Sequence, residues 1–513
     1  LASSLSDVYT PAALEHEKQR WAELFDGFKK EFGAGAPQKV ARAPGRVNII
    51  GEHIDYCGFS VLPAAIERDV LIAFSTAEPD PSFAGADLPA PSQDSAKTVF
   101  VLRNVQSKFS PTDFEADLAG DGTDLALPSD HHWSSYFIAG TKGILAHLKK
   151  TGGISLPSPP KRVLILVGGT VPEGSGLSSS SAMTTASAIA ILELVGRREG
   201  ENQVARKALT NVAIESERLV GVNSGGMDQS ASVFSRSKHL LHIEFIPQLN
   251  ARAIPLPQTD PPFSFVIANT LVTSNKKVTA KYHYNLRVVE CRLGALLLAK
   301  FLGLPYTYES RPKLVPKTAS GSHELRTMIG LVGQALGGPG MEDGMTIEQV
   351  AERLECGTAI LENAVMDREV EPKDGKFKLW TRARHVFSES LRVYEFKDLL
   401  CSTAATQALL EQMGNLMNES MESCQRDYEC SCPELDELVA LARSNGAYGS
   451  RVTGAGWGGA TVSLVREPDV PNFIDVLRRE YYGKRFPDLS EQELHDACFA
   501  TKPEAGANVF AGE

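Results

Sequence analysis

The stretch Gly174-Ser175-Gly176-Leu177-Ser178-Ser179-Ser180-Ser181-Ala182 constrains the fold most, because of what flanks it. An apolar run at 163–167 has the length and composition of a buried strand. A helical pattern follows from Ala182 to Val195. Strand, tight Gly/Ser turn and helix in succession make a phosphate cradle. Glycines let the backbone come close to a phosphate. The N–H groups that open the helix lack intrahelical partners and carry the positive end of its dipole. The serines add hydroxyl donors and an oxygen ligand for Mg²⁺. Gly-x4-Gly-Lys-Ser/Thr is absent, so this is not the Walker loop. Taken alone, the loop is weak evidence and reads more readily as a flexible turn before a capped helix.

At 513 residues and 42% hydrophobic content, the chain is large enough for two packed domains. The net charge of −11 gives no support for binding nucleic acid or an anionic membrane. No apolar stretch is long enough to span a bilayer. Among the eight cysteines, Cys430 and Cys432 form C-x-C and Cys424 lies nearby, but no zinc-type pairing stands out. Reduced thiols in a cytoplasmic protein are the expectation. The chain starts at Leu1 rather than Met, which leaves a preceding targeting segment open. Monomer is the expected state.

Along the chain, 11–33 predicts an amphipathic helix with Leu14, Trp21, Leu24, Phe25, Phe28 and Phe32 near helical spacing. Residues 79–96 are rich in Pro, Ala, Asp and Ser and predict a surface loop. Segments 164–167, 263–268 and 461–465 read as buried strands. Residues 285–302 predict a helix with Leu286, Val289, Leu293, Leu296, Leu297 and Phe301 on one side. The span 305–350 reads as irregular, with Pro and Gly throughout. Residues 376–395 and 405–427 look helical. Pro433 opens another helix and Gly446 stops it. Alternating strands and helices predict an α+β or α/β chain in two lobes.

Three further segments could carry chemistry. In Ala43-Pro44-Gly45-Arg46-Val47-Asn48-Ile49-Ile50-Gly51-Glu52-His53-Ile54-Asp55-Tyr56, a cation, two carboxylates and an imidazole follow an apolar strand. That set suits a ligand with many hydroxyls, such as a sugar. It suits equally a charged loop whose ion pairs hold a turn. In 217–229, Asp228 follows Gly225 and Gly226 and could accept a hydroxyl proton, while Glu217 could hold a divalent cation. Asp228 as a helix cap and Glu217 as a solvated residue are the plainer alternatives. In 449–459, a glycine-dense turn precedes a strand; its backbone lines a ligand or permits close lobe packing. Trp457 is expected to pack rather than to stack on a ligand.

Together, and in this order, these four segments resemble the GHMP small-molecule kinases and within them the galactokinase family. Gly45–Tyr56 is similar to the family's sugar signature, Gly174–Ala182 to its phosphate loop, Gly225–Gln229 to its "GGMDQ", and Gly449–Gly459 to its C-terminal glycine motif. The resemblance extends over nearly the whole chain and is weakest in 79–130 and 305–375. It implies an α+β, two-lobed GHMP kinase fold with the active site between the lobes. Residues 1–245 would form the first lobe, and 246–513 the second, with a variable insertion around 305–375. The implied reaction moves a phosphoryl group from ATP to the C1 hydroxyl of α-D-galactose, with Mg²⁺.

The resemblance also implies roles. Asp228 would be the base, and Arg46 would stabilise charge and position Asp228. Arg46, Glu52, His53, Asp55, Gly225, Asp228 and Tyr284 would hold the sugar. Gly174, Ser175, Gly176, Leu177, Ser178, Ser179 and Ser180 would wrap the ATP phosphates, and Trp133 would wall the adenine pocket. Ser180 and Glu217 would hold Mg²⁺. Ser181 departs from the family's usual Ala, a change expected not to stop phosphate binding. Related branches phosphorylate N-acetylgalactosamine, or respond to galactose and ATP by binding a transcriptional repressor. Both remain alternatives. No nucleic-acid or membrane partner is implied.

Overall fold

A computed structural model describes residues 4–77, 88–94, 96–128, 132–153, 156, 158–196, 204–221, 225–272, 280–306, 322–338, 343–366, 369–402 and 406–512. Much of the Pro-rich 79–96 segment, residues 222–224 and parts of 305–375 lie outside the described residues.

Among the described residues, twelve strands run in chain order: β1 Lys39–Ile50, β2 Leu62–Ser75, β3 Lys97–Asn104, β4 Thr112–Asp117, β5 Arg162–Gly169, β6 His239–Glu244, β7 Asn250–Pro255, β8 Phe263–Asn269, β9 Gly449–Thr453, β10 Ala460–Arg466, β11 Cys498–Thr501 and β12 Asn508–Ala511. Six of them make one sheet in the order β12-β1-β2-β5-β3-β4. Only β3 and β5 pair in parallel there. Both faces are covered, which is why β5 reads as a continuous apolar run rather than an alternating one. On one face lies the helix Pro11–Phe32, whose Trp21, Leu24, Phe28 and Phe32 pack with Leu71, Leu164 and Leu166. On the other lie the helices Ser134–Lys150, Ser179–Leu194 and Arg206–Leu219, with Phe137, Ala186, Ile189 and Val212 against Phe100, Ile165 and Val167.

The second sheet is antiparallel, in the order β11-β8-β10-β9. Its inner residues Ile267, Val462 and Leu464 share a core with Leu296, Phe387 and Met417 of the helices Tyr284–Phe301, Leu379–Leu400 and Gln407–Arg426. That core also takes in Val47, Ile49 and Ile50 of β1 and Leu177 of the glycine/serine loop, so it is continuous across the two lobes. The last strand, β12, returns to the first sheet and pairs Lys39–Arg42 of β1 with Ala511–Asn508.

The predicted helices stand within a few residues of their expected bounds. On Tyr284–Phe301 the apolar side is buried except for Phe301, which is exposed. The span 305–350 is less irregular than its glycines predict. It holds the helix Ser322–Leu336, with Leu325, Met328, Val332, Ala335 and Leu336 buried, and the helix Ile347–Leu354. Gly330 and Gly333 sit inside the first of these because core packing outweighs a glycine's cost of roughly 1 kcal/mol. Among the described residues, no helix is long and apolar enough to cross a membrane.

Candidate active site

The four segments converge on one cavity of about 930 Å³ between the lobes. The glycine/serine loop leaves β5 and turns sharply, with Gly174 at φ 67° and Gly176 at φ 77°. Gly176 also has no room for a side chain, since a Cβ there would sit 2.9 Å from the Thr453 carbonyl oxygen. The helix begins at Ser179, three residues earlier than the sequence pattern predicts, so three of the serines, Ser179, Ser180 and Ser181, form its first turn. Ser178, just before it, is left-handed at φ 65°. The residue lines the cavity, and its Oγ is buried without a hydrogen-bond partner.

Arg46 reaches this loop from β1. The β1–β2 register shifts between Pro44 and Arg46, a bulge of the kind that re-aims a side chain. Gly45 stands in the bulge because a Cβ would lie 2.7 Å from the Leu177 carbonyl oxygen. Arg46 donates from Nε to Asp228 Oδ1 at 2.8 Å, and its Nη2 stands 2.7 Å from the same oxygen in an ion pair. Its Nη1 donates to the Gly176 carbonyl. The arginine side chain is 5% exposed and the Asp228 side chain 21%, so the carboxylate is the open member of the pair. Asp228 stands in the first turn of the helix Met227–Phe234, where the helix dipole favours a negative charge.

The other sugar-signature residues are held tightly by protein. Glu52 Oε2 accepts from Arg451 Nη2 and from the Gly454 N–H, each at 3.1 Å. Burial lifts its carboxyl to about 7, against the pull of Arg451. His53 spends both ring nitrogens on protein groups: Nε2 donates to the Ala455 carbonyl at 2.9 Å, which leaves Nδ1 to accept from Tyr56 Oη at 3.1 Å. Burial holds His53 neutral, down at about 3. Asp55 is lifted to about 6 by burial and by the charge of Asp228. A Cβ on Gly225 would lie 2.5 Å from Asp55 Cγ and 2.5 Å from the Tyr56 nitrogen. Tyr284 lines the same wall, its ring 5.8 Å from that of His53 and its hydroxyl pushed well up by burial.

On the far side, Glu217 is 1% exposed. Its Oε1 accepts from Ser180 Oγ at 2.6 Å and its Oε2 from Ser181 Oγ at 2.7 Å. Gln229 Nε2 also donates to Oε2. Trp133 lines the outer cavity beside Phe109, ring centroids 5.7 Å apart, and its Nε1 donates to the Ser110 carbonyl at 2.9 Å. Trp457 also lines the cavity and stacks on His283 at 4.7 Å with the rings 2° apart.

Of the site residues predicted from sequence, all line the cavity except Ser175, whose Oγ turns back to the Pro172 carbonyl at 2.6 Å. Sequence reasoning missed the scaffold beneath them. Arg451 braces β1 by donating to the Asn48 and Ile49 carbonyls, both at 3.1 Å. Glu389 accepts from the Gly51 and Glu52 N–H groups at 2.9 and 3.1 Å, and is held well below the usual carboxylate range by Arg392 and Arg451 despite its burial. His385 Nε2 donates to the Glu52 carbonyl at 3.0 Å. Nothing local in the sequence announces these partners, which lie hundreds of residues from the groups they hold.

Comparison with known proteins gives the same outline. Residues 26–76 match the galactokinase galactose-binding signature, 140–236 the GHMP kinases N terminal domain and 405–483 the GHMP kinases C terminal domain. A galactokinase of Dictyostelium discoideum is 37% identical, covering 100% of this chain and 97% of its own. One of Saccharomyces cerevisiae is 38% identical over 92% of each chain. The crystal structure of Lactococcus lactis galactokinase complexed with galactose superposes with a TM-score of 0.61 at 22% identity, over 97% of this chain and 99% of that one.

Proposed function

The chain belongs to the galactokinases of the GHMP kinase family, and from that premise we propose that Asp228 and Arg46 carry phosphoryl transfer from ATP to the C1 hydroxyl of galactose. The observation that carries this assignment is the Arg46–Asp228 pair, because the same guanidinium also grips the phosphate loop at Gly176. Arg46 holds Oδ1 of Asp228 and leaves Oδ2 to accept the sugar hydroxyl. The base and the loop that cradles the transferring group are thereby kept at fixed separation. Positioning of this kind supplies much of the catalysis in phosphoryl transfer, where the transition state is loose. As the oxygen attacks, its proton passes to Asp228, and Arg46 offsets the charge that collects nearby.

Glu52, Asp55, Gly225 and Tyr284 form the sugar wall. Asp55 offers acceptor oxygens, and Gly225 leaves the backbone bare where a hydroxyl can approach. His53 acts by fixing Tyr56 and Ala455 rather than by touching the sugar, since both its nitrogens are engaged. The partnerless Ser178 Oγ, the left-handed glycines and the opening turn at Ser179 fit the phosphates of ATP. Trp133 and Phe109 would flank its base. Ser180 Oγ and Glu217 Oε1 are hard oxygen donors 2.6 Å apart and would hold Mg²⁺. When bound, such a cation neutralises charge on the transferring phosphates. We take the lobes to divide near 245; β12 crosses back to the first sheet.

ADP release measured against galactose, N-acetylgalactosamine, glucose and galacturonate in parallel tests the reading. Turnover on galactose alone is expected. Preference for N-acetylgalactosamine would move the substrate while keeping the mechanism, and no turnover on any sugar would overturn it.

A further inference from the structure

Resting on the cation reading above, the geometry points to Ser181 and Gln229 as positioning residues that hold the Glu217 carboxylate in the orientation that serves a divalent cation. Neither residue is among those lining the cavity, and both are 0% exposed, so neither can touch a ligand. Both donate to the same oxygen, Oε2 of Glu217. The other oxygen, Oε1, is the one shared with Ser180, which does line the cavity. A glutamate's terminal torsion is broad and holds no fixed orientation by itself. Two donors behind Oε2 fix that torsion and so aim Oε1.

Chain order makes this arrangement possible. Ser180 and Ser181 are consecutive in the first turn of the helix Ser179–Leu194, so their side chains diverge by about 100° around its axis. One hydroxyl faces the cavity and the other faces the interior, and the carboxylate is gripped from both sides. Gln229 adds a second link: it follows Asp228 in the helix Met227–Phe234, so the same carboxylate is tied to the element that carries the base.

Calorimetric titration of ADP, with and without Mg²⁺, separates this role from a merely structural one. In the wild-type protein Mg²⁺ should tighten ADP binding, and E217Q should abolish that gain. S181A should cut the gain about tenfold, the worth of a hydrogen bond to a charged group, while Mg²⁺-free ADP binds as before. Gln229→Met should shift the gain in the same direction. Ala is the best helix former, so S181A keeps its fold. An undiminished Mg²⁺ effect in S181A, or an equal loss with and without Mg²⁺, would overturn the inference. A gain that survives E217Q would overturn the cation reading itself, and the inference with it.

Discussion

Arg451 of β9 and Glu52 of the sugar signature form an ion pair 3.1 Å long, buried on both sides, that joins segments 399 residues apart. The same guanidinium takes two carbonyls of β1. It therefore sets the backbone from which Arg46 and the sugar wall project. A lysine keeps the charge but not the planar fork. Arg451→Lys should lose about 2 kcal/mol or more of stability, read as a lowered Tm, because buried acceptors are left without donors. It should also weaken galactose binding. A native Tm would show that the fork is dispensable.

Asp228→Ala should lower kcat by at least about 100-fold, the low end for a general base. Its fold should survive, since the side chain is partly open to the cavity. Circular dichroism and ADP release on the same preparation check this. Arg46→Lys should recover only part of the lost rate, since a single ammonium cannot serve both Asp228 and the Gly176 carbonyl. Near-wild-type turnover in either variant counts against the assigned role.

Gly225→Ala tests the sugar wall by sterics alone. Its backbone angle is not in the left-handed region, so the strain arises from the Cβ meeting Asp55 and the Tyr56 nitrogen. Asp55 must move, and galactose affinity should fall at least tenfold, the equivalent of about 1.4 kcal/mol. ADP affinity should hold. Equal losses for both ligands would mean that the change spreads beyond the sugar wall.

Much of this was legible in the chain because each motif is local. The strand at 163–167, the Gly/Ser turn and the helix after it follow from composition and period, and the residues they present do line one cavity. What stayed hidden is set by distant partners. His53 reads as a sugar ligand until Ala455 and Tyr56 are seen to occupy its nitrogens. Ser181 reads as a spare hydroxyl until Glu217 is found behind it. The helix Ser322–Leu336 has helical spacing at 325, 328, 332 and 335, yet its glycines and flanking prolines obscure the period.

Glu504 gives a stability test independent of catalysis. It sits in the segment leading to β12, 0% exposed, with Oε1 accepting from the Thr10 N–H at 3.2 Å and Oε2 without a hydrogen-bond partner. Burial lifts its carboxyl to about 7. In the unfolded chain a glutamate titrates at about 4.3. A folded pKa above the unfolded one means that the folded state holds its proton more tightly. The contribution is therefore full below the unfolded pKa and is lost as pH rises through about 7. Glu504→Gln keeps the neutral shape and the acceptor to Thr10 at every pH. Its Tm should match wild type near pH 4, exceed it progressively between about pH 5 and pH 7 and level off above that, by the equivalent of about 3.5 kcal/mol. Thermal melts of both proteins across that range decide it. A difference that does not grow with pH would mean that Glu504 finds a charge partner on folding.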